Sequence, residues 1–229
     1  MTRRKIALII VSAAVVLGAL AVIVGPYIYR DLIVGEAPAT PTVDQPATNP
    51  NAQISETSAA GTWNVSNGSY AGYRVDEVLR GVNVTVVGRT SDVSGDITIA
   101  DSKVTSGKIT VDVTTIATTE PSRDSYFRSN VVETREFPTA TFELIDAIEI
   151  PSSDYADKQG EHVINGKLTL HGVTKDVTLT VQAGYDGTQV QIAGSIPTSW
   201  ADYGMTTPSL GFVEVESSGF IEFLITLTQ

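Results

Sequence analysis

An all-β antiparallel fold, a sandwich or a barrel, is what residues 61–229 of this chain predict, and three observations carry the prediction. Segments such as VNVTVVGRT, GKITVDVTTIAT, TATFELIDAIEI and GFIEFLITLTQ alternate apolar with polar residues and are rich in Val, Ile and Thr. Clusters of turn formers, SDVSG, ADSKVTSG, YADKQG and YDGTQ, separate them at near-regular spacing. Helical periodicity is absent from this region except around RDSYFRSN, residues 123–130.

The chain has 229 residues, which suits one globular domain with appendages. Residues 1–5 form a basic N-terminus with Arg3, Arg4 and Lys5. Residues 6–29 read as a transmembrane helix: the uncharged run Ile6–Val24 has 19 residues. At about 1.5 Å per residue that run is roughly 28 Å long, close to the hydrocarbon thickness of a bilayer. The positive-inside rule keeps the N-terminus cytoplasmic and puts Tyr27 and Tyr29 at the far interface. A cleaved signal peptide carries a shorter apolar region, about 7–15 residues. The expectation is therefore an uncleaved, single-pass anchor in the cell membrane with the rest of the chain extracytoplasmic.

Residues 30–60 read as a flexible linker. From residue 35 onward the stretch is rich in Pro, Ala, Thr and Ser, has no aromatic residue, and cannot bury enough surface to order itself. As a random coil it would let the domain range about 25–30 Å from the membrane.

Within the strand-rich domain, residues 61–229, the exception at RDSYFRSN has its own start and stop. Thr119 can cap a helix with Pro121 in its first turn, and Phe137-Pro138 ends it. Asp124 and Arg128 are four apart, as are Phe127 and Val131, so one face can pair charges and another can be apolar. So short a helix does not hold in water alone. It must pack on the barrel, as a plug of an open end or as a gate to a cavity.

Composition narrows the function. The formal charge is −11, from 15 bases and 26 acids, and residues 1–60 hold four of each, so the whole acid excess lies in residues 61–229. Such a domain repels a phosphate backbone, which argues against a nucleic-acid partner. The chain has no cysteine, which removes disulfides, thiol catalysis, thiolate metal sites and a thioether lipid anchor. Its two histidines, His162 in a polar stretch read as a loop and His171 at a bend between strands, lack further ligands at metal-binding spacing. No G-x-S-x-G, S-x-x-K or H-E-x-x-H motif and no phosphate loop occurs. Glu214, Glu216 and Glu222 fall at alternate strand positions and read as solvated outer faces. Neither an enzyme nor a resident cofactor is expected.

A closed barrel of about eight strands is filled by its own side chains or by one small ligand. The apolar half of each alternation should point inward, including Trp63, Tyr73, Val84, Val86, Ile97, Ile109, Val111, Phe142, Leu144, Leu168, Leu170, Leu179 and Ile192. Most are of medium size. They leave room along the axis without making it polar, which favours a long apolar ligand over a planar polar one. A packed core stays open as the alternative.

The stretch RDSYFRSNVVETREFPTATFEL, followed by INGKLTLHGVTKDVTLTV, resembles the YceI-like family of polyisoprenoid-binding proteins. The resemblance rests on Arg123, Asp124, Phe127, Phe137, Pro138, Phe142, Gly166, Leu168, Thr169 and the run His171 to Lys175, and it extends over about residues 61–229. It implies a bacterial, periplasmic or secreted lipocalin-like barrel with a helix at its side and a long isoprenoid in an apolar tunnel. On this reading Tyr73, Val84, Val86, Ile109, Val111, Phe127, Phe142, Leu144, Leu168 and Leu170 contact the lipid, while Arg123 and Asp124 fix the helix to neighbouring loops. The expected role is a membrane-tethered carrier, store or sensor of an isoprenoid or similar lipid. The alternative is an extracytoplasmic interaction module with a filled barrel and no ligand.

Overall fold

The computed structural model describes residues 36–43, 59–79, 81–151, 159–185, 188–211 and 213–229, with scattered positions between 18 and 28. The predicted span 6–29 lies mostly outside them, and among the described residues no helix is long and apolar enough to cross a membrane.

Twelve antiparallel strands make one sheet: β1 (Gly61–Val65), β2 (Tyr70–Leu79), β3 (Val82–Thr90), β4 (Val93–Ala100), β5 (Lys103–Asp112), β6 (Thr139–Leu144), β7 (Ile148–Glu149), β8 (Gln159–Leu170), β9 (Val173–Tyr185), β10 (Val190–Ser199), β11 (Val213–Val215) and β12 (Ser218–Thr228). The path β1-β4-β5-β6-β8-β9-β10-β12 returns to β1, so eight strands close a ring, a barrel and not a sandwich. Closure is made by β12, which pairs with β10 on one edge. On its other edge, residues 220–224 pair with β2 and residues 227–228 pair with β1.

Tight turns set the register. The β4–β5 loop, Asp101-Ser102, has φ of 51° and 57° and the β8–β9 loop, His171-Gly172, has φ of 50° and 72°. Two successive positive φ angles are the signature of type I′ hairpins, whose twist matches that of the strands they join.

The β2–β3 hairpin extends the wall beyond the ring. Its far strand, β3, runs on into β4 but does not continue β4's pairing with β5. Instead one bridge, Arg89 to Ala117, ties β3 to the segment that follows β5. The helical insert occupies this opening. It consists of α1 (Pro121–Tyr126), continued as a π-helical turn over Phe127–Val131. Its cap is Glu120, whose carboxylate accepts from the Ser122 amide, and not Thr119. Asp124 accepts from the Thr118 amide and hydroxyl instead of pairing with Arg128, which donates to the Ile116 carbonyl. Those bonds to the preceding loop satisfy a buried carboxylate, where an exposed i,i+4 pair contributes only about 0.3–0.5 kcal/mol.

Strand parity places the core. On β12, Ile221, Phe223, Ile225 and Leu227 point inward, and Glu222 points outward. Glu222 is nevertheless only 1% exposed, which corrects its reading as a solvated acid. It faces Gly72, which in turn faces Arg89, in a row across β12, β2 and β3. The row needs glycine in the middle: a Cβ at Gly72 would lie 1.9 Å from the Gly88 carbonyl oxygen. Gly72→Ala should therefore force β3 away from β2 and lower stability by about 1–3 kcal/mol or more, read as a fall in the urea midpoint without a change in slope.

Candidate functional site

The inner faces of the strands do not fill the barrel. Among the described residues, a chamber of about 650 Å³ lies against the helical insert and another of about 250 Å³ beside it. Ala71, Val111, Ala140 and Ile221 belong to the walls of both, so the chambers adjoin. Their combined size falls within the range of ligand sites, about 300–1,000 Å³.

The smaller chamber is walled by Trp63, Ile97, Ile99, Ile109, Phe142, Leu144, Leu168 and Ile192, among others, and is almost wholly apolar. The Trp63 indole nitrogen is satisfied by donating to the Ala59 carbonyl at 2.9 Å, which leaves its ring to close the floor. Ala59, assigned from sequence to the linker, is buried here. His162 lies on β8 in this wall, not in a loop.

The larger chamber is also mainly apolar but carries a few charged and polar groups. β2 contributes Ala71, Tyr73, Val75, Glu77 and Leu79, the insert contributes Ser122, Arg123, Tyr126, Phe127 and Val131, and the 200–215 region contributes Trp200, Met205, Leu210 and Val213. Phe127 stacks on Tyr73 with ring centroids 4.8 Å apart and planes 22° from parallel, which seats the insert on β2. Arg123 donates from Nη2 to Glu77 Oε1 at 2.8 Å. Glu77 is only 4% exposed, so this ion pair compensates a carboxylate held inside the barrel mouth. Burial pushes the Tyr73 phenol up; Arg123 opposes the shift, and Asp124 and Glu77 add to it. The ring thus offers a neutral hydroxyl beside the ion pair. Tyr126 and Leu210 are exposed at the rim of the same chamber.

The candidates named from sequence sort cleanly. Tyr73, Val86, Phe127 and Leu170 line the larger chamber, Ile109, Phe142, Leu144 and Leu168 the smaller, and Val111 both. Val84 is buried in the core on β3, opposite Glu77, and lines neither chamber. Asp124 fixes the insert to the loop before it, while Arg123 reaches strand β2 rather than a loop. Glu77 was not anticipated, yet it shares the inward parity of Tyr73 and Val75, and a charge on that parity is a legible signal of a buried pair. Trp200, Met205 and Leu210 sit in irregular segments where no periodicity points to them.

His171 caps the other side of the insert. Its Nδ1 lies 3.0 Å from the Tyr203 carbonyl, its Nε2 lies 3.0 Å from Glu133 Oε2, and the Phe137 ring packs edge-on at 4.5 Å. These contacts tie the β8–β9 turn to the loop after the insert and to the 3-10 turn Trp200–Tyr203. Among the described residues no group of three His, Asp or Glu could hold a metal ion.

Known proteins share this fold. The YceI-like domain family matches residues 63–227. A UPF0312 protein of Shewanella baltica is 33% identical over 144 residues, 57% of this chain and 71% of the relative. A UPF0312 protein of Shewanella oneidensis is 37% identical over 106 residues, 44% of this chain and 51% of the relative. Among solved structures, a polyisoprenoid binding domain from Saccharophagus degradans, implicated in plant cell wall breakdown, superposes with a TM-score of 0.58 at 15% identity, over 74% of this chain and 98% of that one. Burkholderia cenocepacia BcnA gives 0.53 at 20% identity, over 67% and 95%. At these identities the two structures show the common fold.

Removing one partner of the Glu77–Arg123 pair should be costly. Arg123→Met should destabilise the barrel by about 3 kcal/mol, and adding Glu77→Leu should recover most of that loss. A double-mutant cycle of urea melts measures it.

Proposed function

This chain belongs to the YceI-like domain family, and from that premise we propose that its barrel binds one long-chain isoprenoid or similar apolar lipid lengthwise, as a non-enzymatic carrier, store or sensor. The observation that carries the reading is the pair of adjoining chambers that share Ala71, Val111, Ala140 and Ile221 in their walls. A barrel filled by its own side chains, the interaction-module alternative, would not have them. The tail occupies the almost wholly apolar smaller chamber. A modest polar head, a hydroxyl or carbonyl, stays in the larger chamber near the Tyr73 hydroxyl and the Glu77–Arg123 pair.

Magnitudes favour a long chain. Each buried CH₂ contributes about 0.8 kcal/mol, so ten carbons supply about 8 kcal/mol. Association itself costs roughly 4–15 kcal/mol. A single prenyl unit therefore falls short, and useful affinity requires a tail that passes from one chamber into the next. The insert walls the larger chamber with Ser122, Arg123, Tyr126, Phe127 and Val131.

We further propose that residues 6–29 anchor the chain in the cell membrane, with residues 1–5 cytoplasmic and the barrel extracytoplasmic. The 19-residue uncharged run behind three basic residues supports this. The described positions there include Leu20, Val22, Val24 and Ile28, all exposed apolar side chains, as a lipid-facing helix requires.

The test is chemical. Residues 59–229, purified without strong detergent and extracted with organic solvent, should yield about one equivalent of a long-chain prenyl or related lipid by mass spectrometry. An empty protein that also refuses added long-chain isoprenoids would overturn the proposal. Ala140→Trp, placed at the junction of the chambers, should leave the circular dichroism spectrum unchanged but shorten or abolish the retained tail.

A further inference from the structure

Residues 36–43, read from sequence as part of a flexible spacer, touch the outside of the barrel. Arg74 donates from Nη2 to the Pro38 carbonyl at 2.5 Å, and Arg89 donates from Nη2 to the Ala39 carbonyl at 2.8 Å. The receiving surface is a built site. Glu222 Oε1 accepts from Arg74 Nε at 2.5 Å, while Oε2 accepts from Arg74 Nη2 at 3.3 Å and from Arg89 Nη2 at 3.4 Å. The Arg89 guanidinium also lies 4.6 Å from the centre of the Tyr70 ring. Gly72, between Glu222 and Arg89 in the same row, has no side chain to separate them.

Two guanidinium groups share one carboxylate, so the cluster keeps a surplus of N–H donors and one positive charge. Those donors turn outward and need acceptors. Consecutive backbone carbonyls of an extended chain supply them, and Pro38 and Pro41 hold the segment extended. We propose that the Arg74–Glu222–Arg89 triad is a docking site for this chain's own proline-bearing segment 36–43, which turns the predicted spacer into a strap.

The strap has a consequence for orientation, which rests on the membrane anchor proposed above; the docking itself does not. With 36–43 docked, only residues 30–35 separate the anchor from the barrel, about 20 Å when fully extended. β2 carries the triad's Arg74 on its outer face and Tyr73, Val75 and Glu77 of the larger chamber on its inner face. The strap therefore brings the chain from the anchor onto the outer face of the strand whose inner face walls the larger chamber.

The absence of cysteine makes a clean distance measurement feasible. Thr40 and Ser91 are both exposed, one in the strap and one just beyond Arg89. The full chain carrying Thr40→Cys and Ser91→Cys, spin-labelled and placed in lipid nanodiscs, should give one narrow distance population by double electron–electron resonance. Adding Arg89→Gln should broaden it to the spread of a free linker. A broad distribution without Arg89→Gln overturns the docking, whether or not the Arg89→Gln protein folds. A distribution that stays narrow with Arg89→Gln in a folded protein overturns the role of the triad. Lipid retention by residues 59–229 is measured separately, so its failure leaves the strap result standing.

Discussion

One edge of β12 serves two strands, and the architecture of the barrel follows from that constraint. Residues 227–228 pair with β1, which closes the ring, and residues 220–224 pair with β2, which starts a hairpin that rises beyond it. An antiparallel strand has only one hydrogen-bonding edge on each side, so β1 and β2 must occupy successive stretches of the same edge. The chain between them therefore leaves the ring and returns. Where β3 runs above β5, the wall is open, and an apolar interior cannot face water there. The helical insert, with Phe127 stacked on Tyr73 and Arg123 paired with Glu77, lies across that opening.

The same strand, β2, is charged on both faces. Inside, Glu77 meets Arg123 from the insert; outside, Arg74 meets Glu222 from β12 and the carbonyl of Pro38. Neither carboxylate would be stable alone in such burial, because removing a charge from water costs several kcal/mol unless a partner and further hydrogen bonds compensate. Each pair thus fixes a position: one seats the insert, the other gathers two strands under the N-terminal segment. The strand lies between them, with the larger chamber on the side of the Glu77–Arg123 pair. The walls of the two chambers combine aliphatic side chains with aromatic ones such as Trp63, Tyr73, Phe127 and Phe142, and the chambers are what those side chains leave unfilled.

Much of the strand pattern was legible because its cause is local. Side chains alternate along a strand with a period of two, so Ile109, Val111, Phe142, Leu144 and Leu168 could be assigned inward from their neighbours alone. The insert was legible in its apolar face and its proline start, but not in its bonds. Asp124 chose the loop at Thr118 over Arg128, because a buried carboxylate is better satisfied by an amide and a hydroxyl held at fixed geometry than by a flexible surface partner. Glu77 was readable in principle from its parity. Glu222 was not, since an outward acid looks solvated until two arginines from strands about 130 and 150 positions away in the chain cover it.

The sequence by itself determined the kind of protein: an acidic, cysteine-free, antiparallel all-β domain behind a basic, apolar N-terminus, with one helical interruption and a mostly medium-sized apolar inward set. These are properties of short windows, where period, charge and turn chemistry act between near neighbours. Only the tertiary structure decided that β1 and β2 share one edge of β12, that the interior keeps two adjoining chambers, and that segment 36–43 lies on the barrel wall. Those facts depend on pairings across long stretches of chain and on volumes left after every side chain has packed, and neither quantity exists until the ring has closed.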